Sequence, residues 1–149
     1  MFESAIFNDL PNDISASIAR IQLGKLSENL RIRKVNAELY IKLLDENLSI
    51  RLPMKDFMDD SSHYFFPISI QASKRDVLAE YLNDQGIYTT FRYFPLNRVP
   101  LYGAQQLEFL GSDKFAACTL LLPQHNGLNV DDIEFIAATI NRVLSTGLQ

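Results

Sequence analysis

HYFFPISIQASKRDVLAEYLNDQGIYTTFRYF, His63 to Phe94, is a strand, a helix and a second strand in sequence. The run His63–Ile70 is aromatic and β-branched, and Pro67 within it lacks a backbone donor, which predicts an edge or bulge position. Ser73 is the expected cap of the helix KRDVLAEYLNDQG, with Val77, Leu78, Tyr81 and Leu82 facing inward and Gly86 as its stop. Ile87–Phe94 again has strand composition.

Upstream, Leu48–Pro53 is a short strand candidate, followed by the polar loop KDFMDDSS. Before it, Asn12 caps a helix whose apolar residues recur at helical spacing from Ile14 to Leu43. The pairs Lys25–Glu28, Glu28–Arg31, Lys34–Glu38 and Glu38–Lys42 give that helix a charged, solvated face. If it runs unbroken to Asp45 it is roughly 50 Å long, whereas a globule of this size is only about 40 Å across. It therefore bends, with Gly24 as the natural place, or its N-terminal half packs on something outside the chain; the second is favoured. Small residues Ser15, Ala16, Ser17 and Ala19 suit such an approach.

Downstream, Ser112 or Asp113 is expected to start a helix through Ala116, Ala117 and Leu120, and Leu120–Pro123 a short strand. The loop QHNGLN then leads to a last helix from Val130 to about Leu144. The expectation is one α+β domain over residues 1–149. It has a small antiparallel or mixed sheet with helices on one face, preceded by one long helix.

Composition bounds the function classes. With 47% apolar and 21% charged residues the chain reads as soluble and globular, and its net charge of −4 argues against nucleic-acid binding. No apolar run reaches the ~18 residues that cross a bilayer. MFESAIFNDLP lacks a signal peptide's basic start and apolar core, so no membrane association and a cytoplasmic location are expected. Cys118 is the single cysteine and is expected to be a buried, inert thiol. His63 and His125 have no spaced metal-ligand companions, Ser61, Ser62 and His63 are merely adjacent, and Asp59–Asp60 reads as solvated charge. By themselves the residues offer no complete active site. FRYFPLNRVPLYG, Phe91–Gly103, is either an aromatic lid over the core or a pocket rim. On the rim reading Phe91 and Tyr93 pack toward the helix near Lys74, which leaves Arg92 on the opposite face, free to meet an anion.

Three stretches together carry a resemblance. NDISASIARIQLGKL is similar to the helix start of the DegT/DnrJ/StrS family of PLP-dependent sugar aminotransferases. HYFFPISI with KRDVLAEYLNDQGIYTTFRYFPLNRVPLY resembles that family's strand, its R-D-x-L helix and its aromatic "Y-x-P-L-H-x-x-P-x-Y" segment. LLLPQHNGLNVDDIEFIAATI resembles its closing L-P-x-H run. In order, they cover about residues 6 to 145 and match the small C-terminal domain of fold-type I PLP transferases.

The resemblance implies transamination of a nucleotide-linked keto sugar with glutamate or glutamine as donor, pyridoxal phosphate as cofactor of the full-length enzyme, and a homodimer. A minority branch of the family performs dehydration instead. Asn8 falls on the family asparagine that reaches the cofactor phosphate of the partner subunit, although Asp9, Leu10 and Pro11 replace the Tyr-Arg-Met that follows it. Arg92, Tyr93 and Asn97 fall on the substrate segment, with Asn97 where the family usually has His. None of Lys25, Lys34, Lys42, Lys55, Lys74 and Lys114 stands in the context of the Schiff-base lysine. The PLP-binding domain is therefore expected to be missing or separately encoded, and no cofactor is expected on the isolated chain. The alternative is a stand-alone, non-catalytic module that keeps the fold for dimerisation or partner binding.

Overall fold

In the computed structural model residues 12–91, 94–102 and 109–147 are described. The expected single long helix is two: α1 (Asp13–Gly24) and α2 (Leu26–Leu44). Asn12 caps α1 as expected, its side chain accepting the Ser15 N–H at 2.9 Å. The break falls at Lys25, whose N–H turns back to the Gln22 carbonyl at 3.1 Å while its own carbonyl starts α2 by accepting from Asn29 at 3.0 Å. Gly24, about 1 kcal/mol poorer than alanine in a helix, weakens the ladder there. No residue of α1 is buried, and Ile14 is 74% exposed. On the charged face Glu28 and Arg31 pair at 2.7 Å, but Lys34 reaches across to Asp59 at 2.7 Å.

The sheet is antiparallel, in the order β1 (Ile50–Arg51), β2 (Phe66–Ile70), β3 (Thr119–Leu122). Pro67 thus lies in the central strand, not at an edge or bulge. The register explains it. Pro67 faces Leu121, whose own N–H and carbonyl bond Thr90 on the far side of β3, so this pair exchanges no hydrogen bonds and the proline nitrogen points toward β1. β1 pairs only with Ile70 and Ser69 and does not reach that position.

Phe66, Ile68, Ile70, Leu120 and Leu122 line one face of the sheet and join a single core with Ala37, Tyr40 and Leu44 of α2. Leu78 and Leu82 of α3 (Ala72–Asp84) and Ile133, Ile136, Ala137, Ile140 and Val143 of α5 (Val130–Thr146) complete it. Asn129 and Asp132 form a reciprocal capping box that fixes the start of α5.

Several boundaries differ from expectation. Helix α3 begins at Ala72 behind Gln71, without a side-chain cap, so Ser73 sits inside its first turn, and Val77 lies outside the core. Ile87 to Phe91 form no strand; Thr90 makes one bridge to Leu121. Helix α4 (Leu110–Cys118) starts ahead of Ser112 and Asp113, and Cys118 is half-buried rather than buried.

The stop at Gly86 holds. With φ of +77°, its N–H bonds the Asn83 carbonyl at 2.9 Å and the next N–H, of Ile87, bonds Leu82 at 2.8 Å, a Schellman closure. A Cβ at Gly86 would meet nothing within 4 Å. Gly86→Ala should therefore cost about 1 kcal/mol from backbone conformation alone, read as a lower urea midpoint with an unchanged m-value.

Candidate functional site

The two prolines of the Phe91–Gly103 segment set its shape. Pro95 precedes one 3-10 turn (Leu96–Arg98) and Pro100 opens another (Pro100–Tyr102), where a missing donor costs nothing. Phe94, Leu96, Leu101 and Tyr102 are exposed, so these four side chains form no lid over the core. Phe94, Leu96 and Tyr102 instead rim a cavity of about 480 Å3 completed by Asn97 and by Phe109, Ser112 and Phe115 around α4. Phe91 is itself half exposed and lies under Arg75 of α3, not packed into the core. Arg98 donates from Nε to Asp113 Oδ1 at 2.8 Å, tying the first 3-10 turn to the first turn of α4.

Asn97 is half-buried on the cavity wall. Asn8, Arg92 and Tyr93 lie outside the described residues.

A second cavity, of about 660 Å3, opens at the end of the sheet between Tyr64, Tyr88, His125 and Phe135. His125 Nδ1 accepts the Gly127 N–H at 3.2 Å, which fixes the turn that enters α5. The other histidine is structural. His63 is buried at a positive φ of 47°, its Nε2 is 2.9 Å from the Met58 carbonyl, and its own N–H donates to Ser61 Oγ at 3.0 Å. Ser61 is thus an acceptor in a tight turn and makes no nucleophile–base pair with the imidazole.

The lysines decide whether a PLP ring fits here. Lys34 is paired with Asp59, lowering that carboxyl's pKa through the hydrogen bond and the charge, and Lys55 is paired with Asp45. No lysine lines either cavity. Neither of these two cavities therefore offers the cofactor a lysine. Among them no three His, Cys, Asp or Glu gather as a metal site, and no helix is long and apolar enough to cross a membrane.

Periodicity missed Arg75 and Asp113. Arg75 carried no role in the pattern and Asp113 only that of a possible helix start, yet one reaches the end of α4 and the other holds Arg98.

The model of the DegT/DnrJ/EryC1/StrS aminotransferase family matches residues 7–141. The chain belongs to this family. Among its relatives is the dTDP-4-dehydro-2,3,6-trideoxy-D-glucose 4-aminotransferase of Saccharopolyspora spinosa, 34% identical over 85% of this chain and 33% of that protein. The aminotransferase TlmJ from Streptoalloteichus hindustanus is 36% identical with a TM-score of 0.84, over 92% of this chain and 37% of that one. Spr1654 from Streptococcus pneumoniae in its PLP form shares the fold, with a TM-score of 0.79 at 20% identity over 91% of this chain and 36% of that one. The chain thus spans about a third of the length of the family members it matches, and its fold is that of a domain from the fold-type I aminotransferases.

Tyr40 offers a test of the scaffold behind the site. Its hydroxyl donates to the Pro123 carbonyl at 3.0 Å, and burial, reinforced by the Asp132 charge, pushes its pKa well above the usual phenol value. Folding therefore favours the neutral phenol. That contribution is intact below about pH 10 and falls as pH rises further, by at most about 1.4 kcal/mol per unit. Tyr40→Phe should cost about 1 kcal/mol at neutral pH and flatten the alkaline loss, measured by denaturant titration from neutral to alkaline pH.

Proposed function

We propose that this chain is the C-terminal domain of a PLP-dependent aminotransferase acting on a nucleotide-linked keto sugar, with glutamate or glutamine as amino donor. The observation that carries the reading is the family match over residues 7–141, together with identities of 34% and 36% to about a third of the Saccharopolyspora and Streptoalloteichus relatives. The Saccharopolyspora relative, named for action on a dTDP-linked dehydro sugar, supports the substrate class. The Schiff-base lysine and the cofactor then belong to the part of the enzyme that this chain does not match. In the full enzyme Arg92, Tyr93 and Asn97 contact the sugar nucleotide. Asn8 lies near the cofactor of the second subunit of a cytoplasmic homodimer.

One observation favours a second reading, a non-catalytic dimerisation or partner-binding module: α1 is an amphipathic helix with its isoleucines exposed. The coding region upstream separates the two, since a PLP-lysine domain in frame supports the enzyme and an isolated short frame supports the module.

On the enzyme reading, the chain alone mixed with PLP gives no saturable absorbance band that a single lysine substitution removes, whereas the full-length polypeptide gives one. In the full-length enzyme Arg92→Ala should raise the KM for one substrate by about 10- to 100-fold, the range for losing a charged hydrogen bond, with Tm unchanged. A lower Tm with unaltered kinetics would overturn the binding role.

A further inference from the structure

The larger cavity, of about 660 Å3, lies where a ladder stops one pair early. Thr90 and Leu121 exchange both backbone hydrogen bonds, at 3.2 and 2.7 Å. In an antiparallel pair the next such exchange falls two residues on, which sets Tyr88 against Pro123. It does not form, because Pro123 has no N–H to donate and its carbonyl is turned to the Tyr40 hydroxyl at 3.0 Å. Tyr88 and Pro123 both line the opening that results.

A donor and an acceptor are left side by side. Among the described residues neither the N–H nor the carbonyl of Tyr88 has a hydrogen-bond partner. Its neighbours add nothing to that pair: the Gly86 and Ile87 N–H groups turn back to Asn83 and Leu82, and Thr90 is bound to Leu121. An extended peptide needs such pairs at alternate residues, so a single pair suits a small ring that carries its own N–H beside a carbonyl. The lining favours a flat, uncharged ring. Tyr64 and Phe135 line the cavity about half exposed, and aromatic faces of this kind hold bases by stacking. No described lining residue is Lys or Arg, and Asp132 is acidic, which disfavours an anion. His125, whose Nδ1 accepts the Gly127 N–H, keeps the Nε2–H of its neutral ring as a donor for a second carbonyl.

We propose that this cavity binds a pyrimidine base of the uracil or thymine type, its N3–H donating to the Tyr88 carbonyl and an adjacent carbonyl accepting from the Tyr88 N–H. The choice of a pyrimidine among such rings rests on the nucleotide-sugar reading; the unpaired groups of Tyr88 do not. Any phosphate attached to the base then lies outside the cavity.

The test uses thymidine, which has the base and no phosphate, with the 149-residue chain, followed by amide NMR. A saturable shift of the Tyr88 amide is expected, with a Kd of about 1 mM, the range for so small a ligand. 3-Methylthymidine, which lacks the N–H, should bind about tenfold more weakly, and Phe135→Ala should weaken thymidine about tenfold. Pro123→Ala supplies the missing donor, so the ladder closes on Tyr88; the thymidine shift should vanish and the Tyr88 amide should exchange more slowly. No saturable shift, equal binding of 3-methylthymidine, a shift confined to residues around Asn97, or undiminished binding by Pro123→Ala each overturns the proposal. In the full-length enzyme Pro123→Ala should raise the KM for a pyrimidine nucleotide sugar about tenfold. An unchanged KM overturns the base site and leaves the aminotransferase reading standing. Thymidine bound at Tyr88 in an enzyme that turns over no nucleotide sugar overturns the aminotransferase reading and supports the base site.

Discussion

Tyr40 stands where the layers of the domain meet. Its ring stacks on Phe66 of the central strand with centroids 4.8 Å apart, and its hydroxyl crosses to the Pro123 carbonyl just beyond β3. It is fully buried, and a ring of this size contributes on the order of 2–3 kcal/mol by leaving water, provided the hydroxyl keeps its partner. That proviso fixes the geometry. The bond to Pro123 sets α2 against the exit of β3. Asn141 of α5 holds the other end of α2, donating to the Leu43 carbonyl at 2.9 Å and accepting from Asn47 at 2.8 Å. With α2 and α5 so fixed, the sheet face from Phe66 to Ile70 has one place to go.

Most of this frame was legible in the chain because each piece had a local cause. The last helix from Val130, the Asn12 cap and the glycine stop at Gly86 rest on local rules, and they hold. The misreadings share a different cause. The missing donor of Pro67 predicts an edge or bulge, and only the pairing shows that a donor there would have no acceptor. Ile87–Phe91 has strand composition, but composition does not supply a neighbour, and one bridge at Thr90 is all that β3 offers there. Gly24 marks the break in the first helix, and α1 before it buries no residue within the domain.

The candidate site was legible only in outline. The prolines marked a stiff segment, and Asn97 indeed faces a cavity. The contacts around it were hidden, since Arg75 reads as any charge on a helix and Asp113 as a helix start. An arginine on an outer helix face and one serving two neighbouring elements are identical in sequence; the distinction lies in what the fold brings alongside. In Arg75 the two roles separate by burial, for its partner Asp76 is 80% exposed while the arginine side chain is 16% exposed. The pair with Asp76 is thus a tether worth little by itself, and the inner contacts to Ala116 and Phe91 carry the order.

The same physics bears on α1. A 12-residue helix with no buried residue has little beyond its cap to hold it, and isolated helices of that length are marginal in water. Its three isoleucines, Ile14, Ile18 and Ile21, fall on one narrow stripe, which is the pattern of a helix seated on a surface. On the proposed reading that surface belongs to the larger part of the enzyme or to the second subunit. The break at Lys25 then has a use: it lets α1 follow that surface while α2 stays locked to Phe66 through Tyr40, so a shift in one helix is not imposed on the other. The Arg98–Asp113 pair, which ties the turn beside Asn97 to α4, involves no residue of α1.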